Sequence, residues 1–166
     1  MKTKKTRARP AARKARITPA TLRLRSILVP LDFSPSSIKA LDYAAKFARQ
    51  FGAKLILLHV VEPVTMPDFD ASFPLALENG PLIAAAKNEL ERAVKSARIP
   101  DGTVETILVR FGRSFHEIAE VARARKVDLI IISTHGYTGL KHALLGSTTE
   151  RVVRHAPCPV LVVRQH

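Results

Sequence analysis

Leu55-Ile56-Leu57-Leu58-His59-Val60-Val61 is almost continuously apolar, with no alternation of apolar and polar residues. A strand with one wetted face would alternate, because successive side chains point to opposite sides of a sheet. A run that is apolar on both faces belongs in a sheet covered by helices on both sides, the usual setting of parallel strands. Pro63 ends it. Further strands are read at residues 27–31, 104–109 and 127–132 and at Val160–Val163, each mostly apolar. Pro30 lacks a ladder donor, so regular pairing of the first run is expected to end as the chain nears Asp32.

Between these runs the apolar residues adopt helical spacing. Ser34 is placed to cap a helix with Pro35 in its first turn, Ile38, Leu41, Ala44, Ala45 and Ala48 recur at that spacing, and Gly52 supplies a stop. A second helix is read over residues 82–98, after an irregular connector over residues 65–81 that carries Met66, Phe69, Phe73, Pro74, Gly80 and Pro81. A third opens at Ser114-Phe115-His116-Glu117, which has capping-box spacing, and buries Ile118, Ala119, Val121 and Ala122. A fourth covers residues 147–155, with Ser147 as its cap. Strands alternating with helices predict a three-layer α/β/α sandwich around five parallel strands, and argue against a barrel or an all-β domain.

The 166 residues fit one domain. The net charge of +13 suggests a polyanion partner until it is mapped: ten Lys and Arg precede the first acidic residue, Asp32, and the rest of the chain carries only +3. Residues 1–25 read as a basic, disordered arm and residues 26–166 as the domain. The arm is either a solvated extension or an attachment to nucleic acid or anionic membrane, and it also has the form of an organellar transit segment. No apolar run reaches the roughly 18 residues needed to cross a membrane. Cys158, the only cysteine, excludes an intrachain disulfide and CxxC chemistry and suits a reducing compartment, so the expected location is cytoplasmic. Its neighbours Pro157 and Pro159 supply no base, so it reads as a junction residue and not a nucleophile.

The chemistry points to residues 133–150. There an apolar strand runs into a polar loop with Gly136, Gly139 and Gly146 and then into a helix start, a place where backbone N–H groups and the helix dipole favour an anion. Residues 32–37, after the first strand, hold no GxGxxG, and no Gly-Lys-Ser/Thr phosphate loop occurs. The N–H groups and hydroxyls around Gly146, Ser147 and Thr148 are the candidate phosphate cradle, and Asp32 is placed at the sheet crevice to meet a base or ribose. The six histidines show no metal-ligand spacing, and neither HExxH nor GxSxG is present.

Residues 27–163 resemble the universal stress protein family. The resemblance rests on Ile27-Leu28-Val29-Pro30-Leu31-Asp32, Leu57-Leu58-His59-Val60, Thr134-His135-Gly136 through Gly146-Ser147, and Ala156-Pro157-Cys158-Pro159 with the strand after it. It implies a Rossmann-like five-stranded parallel sheet and a homodimer joined through the last strand, Val160–Val163. ATP-binding members share a G-x-x-G-x9-G-S/T pattern, which here reads Ser133, Gly136, Gly146 and Ser147, with serine in place of the first glycine. The resemblance implies that Asp32 and Val60 lie near adenine or ribose, and His135, Gly136, Gly146, Ser147 and Thr148 near ribose and phosphates. The expectation is therefore an ATP-binding regulatory stress protein, with Mg²⁺ accompanying the phosphates and an unidentified regulatory protein partner. It is not a dedicated enzyme, because the focal loop has no acidic pair to position metal, although weak hydrolysis is compatible with it. The alternatives are a dimeric scaffold that needs no nucleotide, and a nucleic-acid binder acting through the arm.

Overall fold

The computed structural model describes residues 22–62, 79–134 and 145–164. Five strands, β1 (Ser26–Pro30), β2 (Lys54–Val61), β3 (Val104–Phe111), β4 (Leu129–Ser133) and β5 (Val160–Val163), form one sheet in the order β3-β2-β1-β4-β5. Every pairing is parallel. The connecting helices are α1 (Pro35–Phe51), α2 (Asn79–Ser96), α3 (Ser114–Ala124) and α4 (Ser147–His155). The expected fold class is therefore observed, and β1 ends at Pro30 as expected, with its β4 pairing confined to Ile27 and Leu28 while Leu31 N–H still bonds the Leu58 carbonyl of β2 at 2.8 Å.

The doubly apolar runs are explained by two cores. Ile27, Val29, Leu55, Leu57, Leu129 and Ile131 point to the face covered by α1 and α2, where Leu41, Ala44 and Leu90 meet them. Leu28, Ile56, Leu58, Ile130 and Ile132 point to the other face and pack on Ile118, Val121 and Val152 of α3 and α4. Each strand thus feeds both cores with its period of two, and neither face can tolerate polar residues at the sheet centre.

Two boundaries differ from the sequence reading. The α2 helix takes in Gly80 and Pro81, assigned above to the connector, because proline in a first turn removes an N–H that has no intrahelical partner anyway; the connector's residues 65–78 lie outside the described residues. At the amino end Leu24, assigned to the arm, is buried in the first core. Arg25 N–H donates to Asp128 Oδ2 at 2.7 Å and Arg25 carbonyl accepts from Lys54 N–H at 2.8 Å, so the chain is seated on the sheet before β1 begins. No helix among the described residues is long and apolar enough to cross a membrane.

Candidate functional site

The strand order reverses at β1: the chain leaves it for β2 on one side and later returns to β4 on the other. Helices that follow β1 and β4 lie on opposite faces, so the carboxyl ends of these two strands open into a crevice, the usual ligand position in open α/β sheets. A cleft of about 240 Å³ lies there, lined by the ends of β1, β2 and β4 and by the starts of α3 and α4. Asp32, Val60, Gly146, Ser147 and Thr148, all named from the sequence, line it together. His135 and Gly136 lie outside the described residues.

Three helix N-termini face this cleft, and they are satisfied in different ways. At α1, Ser34 is the N-cap, its Oγ accepting from Ser37 N–H at 3.2 Å, as expected for Ser followed by Pro. Asp32 holds that cap in place: its Oδ1 accepts from Ser34 Oγ at 2.6 Å and from Ser34 N–H at 3.1 Å. The turn between them forces Phe33 to φ 65°, an uncommon conformation for a bulky residue. Stacking on His59, with ring centroids 4.5 Å apart, holds Phe33 there. His59 in turn donates from Nδ1 to the Leu31 carbonyl at 2.8 Å, since a carbonyl can only accept, and so ties β2 to the turn that presents Asp32.

At α3 the expected capping box does not form. Ser114 is the first helical residue, and the N-cap, Arg113, makes no side-chain cap bond. Glu117 instead lies against Gly112, whose φ of 143° and lack of a Cβ admit it; a Cβ there would sit 3.0 Å from Glu117 Oε1. The helix is closed from outside, by Glu62 at the exit of β2, whose Oε1 accepts Ser114 N–H at 2.8 Å. Hydrogen bonds from the Ser114 hydroxyl and N–H, with Arg113 nearby, hold the Glu62 carboxyl below its ordinary pKa despite partial burial. Glu62 and Ser114 both line the cleft; Glu62 was not named from the sequence, and Ser114 was named only as a helix cap. Glu62 had one signal, its position just past the end of a central strand; its partner, 52 residues away, had none.

At α4 the cap is Gly146, not Ser147, and it carries no side chain to close the helix. Ser147 occupies the first helical position, and Gly146, extended at the cap, donates its N–H to the Thr134 carbonyl at 2.8 Å, linking the residues on either side of 135–145. Thr149 adds a second tie, its Oγ1 donating to the Ser133 carbonyl at 2.8 Å with both residues buried. The first intrahelical bond runs from Glu150 N–H to the Gly146 carbonyl. Among the described residues nothing accepts from the N–H groups of Ser147, Thr148 or Thr149, so the anion-seeking donors of α4 belong to these three and not to Gly146. Ser133, the serine standing at a glycine position, is the last residue of an extended strand, and its conformation makes no demand for glycine.

Cys158 is half-buried, and burial followed by the nearby Asp128 carboxylate pushes its thiol pKa up, which favours the unreactive thiol. It lies by the amino ends of the strands, where Pro159 carbonyl accepts from Ile130 N–H, and takes no part in the cleft.

Comparison with known proteins places this arrangement in a family. The profile of the universal stress protein family matches residues 23–164. A universal stress protein of Methanocaldococcus jannaschii is 33% identical over 141 residues, spanning 85% of this chain and 82% of its own length. Among solved structures, the universal stress protein UspA of Lactobacillus plantarum superposes with a TM-score of 0.72 at 30% identity, covering 87% of this chain and all of its own. A universal stress protein solved in complex with cAMP superposes with a TM-score of 0.58 at 27% identity, covering 86% of this chain and 98% of its own. On its sequence, its sheet order and its cleft, the chain belongs to the universal stress protein family.

Proposed function

We propose that the protein is a regulatory stress protein that binds an adenine nucleotide, ATP foremost, in the cleft between the ends of β1 and β4, and acts as a homodimer joined through β5. The observation that carries the reading is the difference among the three helix N-termini. The Asp32–Ser34 pair occupies α1 and Glu62 occupies α3, whereas α4 presents the N–H groups of Ser147, Thr148 and Thr149 with no acceptor among the described residues. Phosphate oxygens are the natural acceptors for such a terminus.

The rest of the cleft fits a nucleoside. Asp32 supplies carboxylate oxygens to ribose hydroxyls or to an exocyclic amine, Val60 supplies apolar surface to a base, and the Ser147 and Thr148 hydroxyls extend the phosphate side. In this reading His135 and Gly136 complete that side. The relative solved with cAMP is an adenine-nucleotide complex, which agrees in ligand class. Mg²⁺ would be held chiefly by phosphate oxygens, since no three His, Cys, Asp or Glu side chains among the described residues cluster to hold a metal ion. Asp32 and Glu62, the two carboxylates of the cleft, each serve a helix terminus and are not paired for metal-assisted phosphoryl transfer, so binding is the function and hydrolysis is incidental.

Calorimetry of the full chain with Mg²⁺ and ATP, repeated with AMP, cAMP and GTP, tests the proposal, together with mass and absorbance analysis of nucleotide retained on purification. Adenine nucleotides are expected to bind in preference to GTP. Absence of heat with every adenine nucleotide at about 1 mM, a concentration that would register even weak binding, overturns it.

A further inference from the structure

The opposite end of the sheet carries a different chemistry. Helices of a parallel sheet run against their strands, so all their C-termini gather at the strands' amino ends. Each of the four ends in a basic last turn, with Arg49, Lys95, Arg123 and Arg154 complementing the helix dipoles. Arg123 and Arg154 are paired with Glu120 and Glu150. Arg49, Lys54, Lys95, Arg98, Arg125 and Lys126 are exposed and have no carboxylate within ion-pair distance among the described residues. Among the described residues the acidic ones at this end are Asp101, Glu105 and Asp128, and Asp128 is engaged with the N–H groups of Arg25 and Ser26.

Two of these cations sit where a side chain is conformationally costly. The helices α1, α2 and α3 end in the same motif, with an N–H bonding back five residues: Ala53 to Ala48, Ile99 to Val94 and Val127 to Ala122. The preceding residue is left-handed in each case, Gly52 at φ 68°, Arg98 at φ 49° and Lys126 at φ 51°. Glycine fits this position without strain, and a residue with a Cβ costs about 1 kcal/mol there. The chain uses glycine once and a cation twice.

The sheet order arranges these residues in a row. Going from β3 through β2 and β1 to β4, the loops entering the strands bring Arg98, then Arg49 and Lys54, then Arg23 and Arg25, then Arg125 and Lys126 across three strand spacings, roughly 14 Å. The arm, with most of the ten Lys and Arg of residues 1–25, joins the domain at the middle of this row. We propose that this rim forms a docking surface for the phosphate backbone of nucleic acid, at the end of the molecule opposite the cleft. Arginine predominates in the rim, and its planar fork pairs with phosphate in two-point fashion. An anionic membrane fits less well, because among the described residues the rim offers one exposed large apolar side chain, Leu22, and no exposed aromatic one to anchor beside its charge.

Fluorescence anisotropy of the full chain with a labelled duplex DNA and a labelled single-stranded RNA of equal length, titrated at several KCl concentrations, tests this. Binding that weakens steeply with salt is expected. The double variant Arg98→Gly with Lys126→Gly keeps the fold, since glycine suits both positions, and should lose at least threefold in affinity and lower the salt slope by about 1 to 2, at about 0.9 per phosphate contact. The exchange Arg98→Lys with Lys126→Arg should retain binding. Circular dichroism melting confirms that each variant is folded, and Arg49→Gln with Arg125→Gln gives a second test away from the left-handed positions. No binding at about 50 mM KCl, affinity unchanged in both double variants, or sedimentation with phosphatidylserine vesicles without nucleic-acid binding overturns the proposal. ATP binding is read separately on the same variants and is expected to be unaffected, so loss of one property leaves the other standing.

Discussion

Glu62 accepts the backbone N–H of Ser114 at 2.8 Å, so a carboxylate at the exit of β2 closes a helix that begins 52 residues later. The contact joins the second strand to the third helix across the mouth of the cleft and leaves α4 as the helix terminus open to an anion.

Replacing Glu62 with Gln is expected to destabilise the protein at neutral pH by about 0.5–1 kcal/mol, a modest figure because the carboxylate is largely exposed. The folded-state pKa lies below the unfolded one, so the stabilisation is full above the ordinary carboxylate range and is lost as pH falls through the lowered folded value. Urea unfolding of parent and variant should therefore differ at pH 7 and converge in acid; a gap of equal size at both ends would show that the charge plays no part.

Thr149→Val removes the hydroxyl that binds the buried Ser133 carbonyl while keeping the shape of the side chain. Loss of this buried hydrogen bond should cost about 1 kcal/mol of stability. Because this bond anchors the start of α4 to the end of β4, adenine-nucleotide affinity should fall as well. Denaturation and calorimetry on one preparation separate the two effects, and unchanged affinity would mean that the Gly146–Thr134 bond alone positions the terminus.

Ser133→Gly restores the glycine of the ATP-binding pattern and should not improve binding. Ser133 is extended and buried at a strand end, so glycine gains no accessible conformation there and weakens the strand by about 0.5–1 kcal/mol. Nucleotide affinity within twofold of the parent is expected by calorimetry. A large gain would identify the serine side chain as an obstruction.

At the β5 edge, Pro159 and Val163 turn their carbonyls to β4, where Ile130 and Thr134 N–H groups bond them. By the alternation of a strand, the N–H of Val162 points to the open edge. Val162→Pro should then spare the β4 pairing while removing a donor from the proposed dimer joint. Sedimentation should show a dimer for the parent and a shift to monomer for the variant with the fold retained; a dimer that persists places the joint elsewhere.

The continuous apolar runs, the Ser34-Pro35 start and the Gly52 stop were enough to read a five-stranded parallel sheet wrapped by helices, because these signals are local and a strand buried on both faces has only one common setting. The family pattern likewise marked Asp32, Val60, Gly146, Ser147 and Thr148, which do line one cleft. What sequence spacing could not settle was how each hydrogen-bonding group is used. Ser114 and Ser147 both had the spacing of caps, yet a carboxylate just past the end of β2 closes α3, and the carbonyl of Thr134, just past the end of β4, takes the N–H of Gly146. Charge behaved in the same way: a net +3 outside the arm looked unremarkable until the parallel topology gathered the helix C-termini at one end. A chain's local pattern determines which elements form, whereas partners distant in sequence and the common direction of its helices are properties of the assembled sheet.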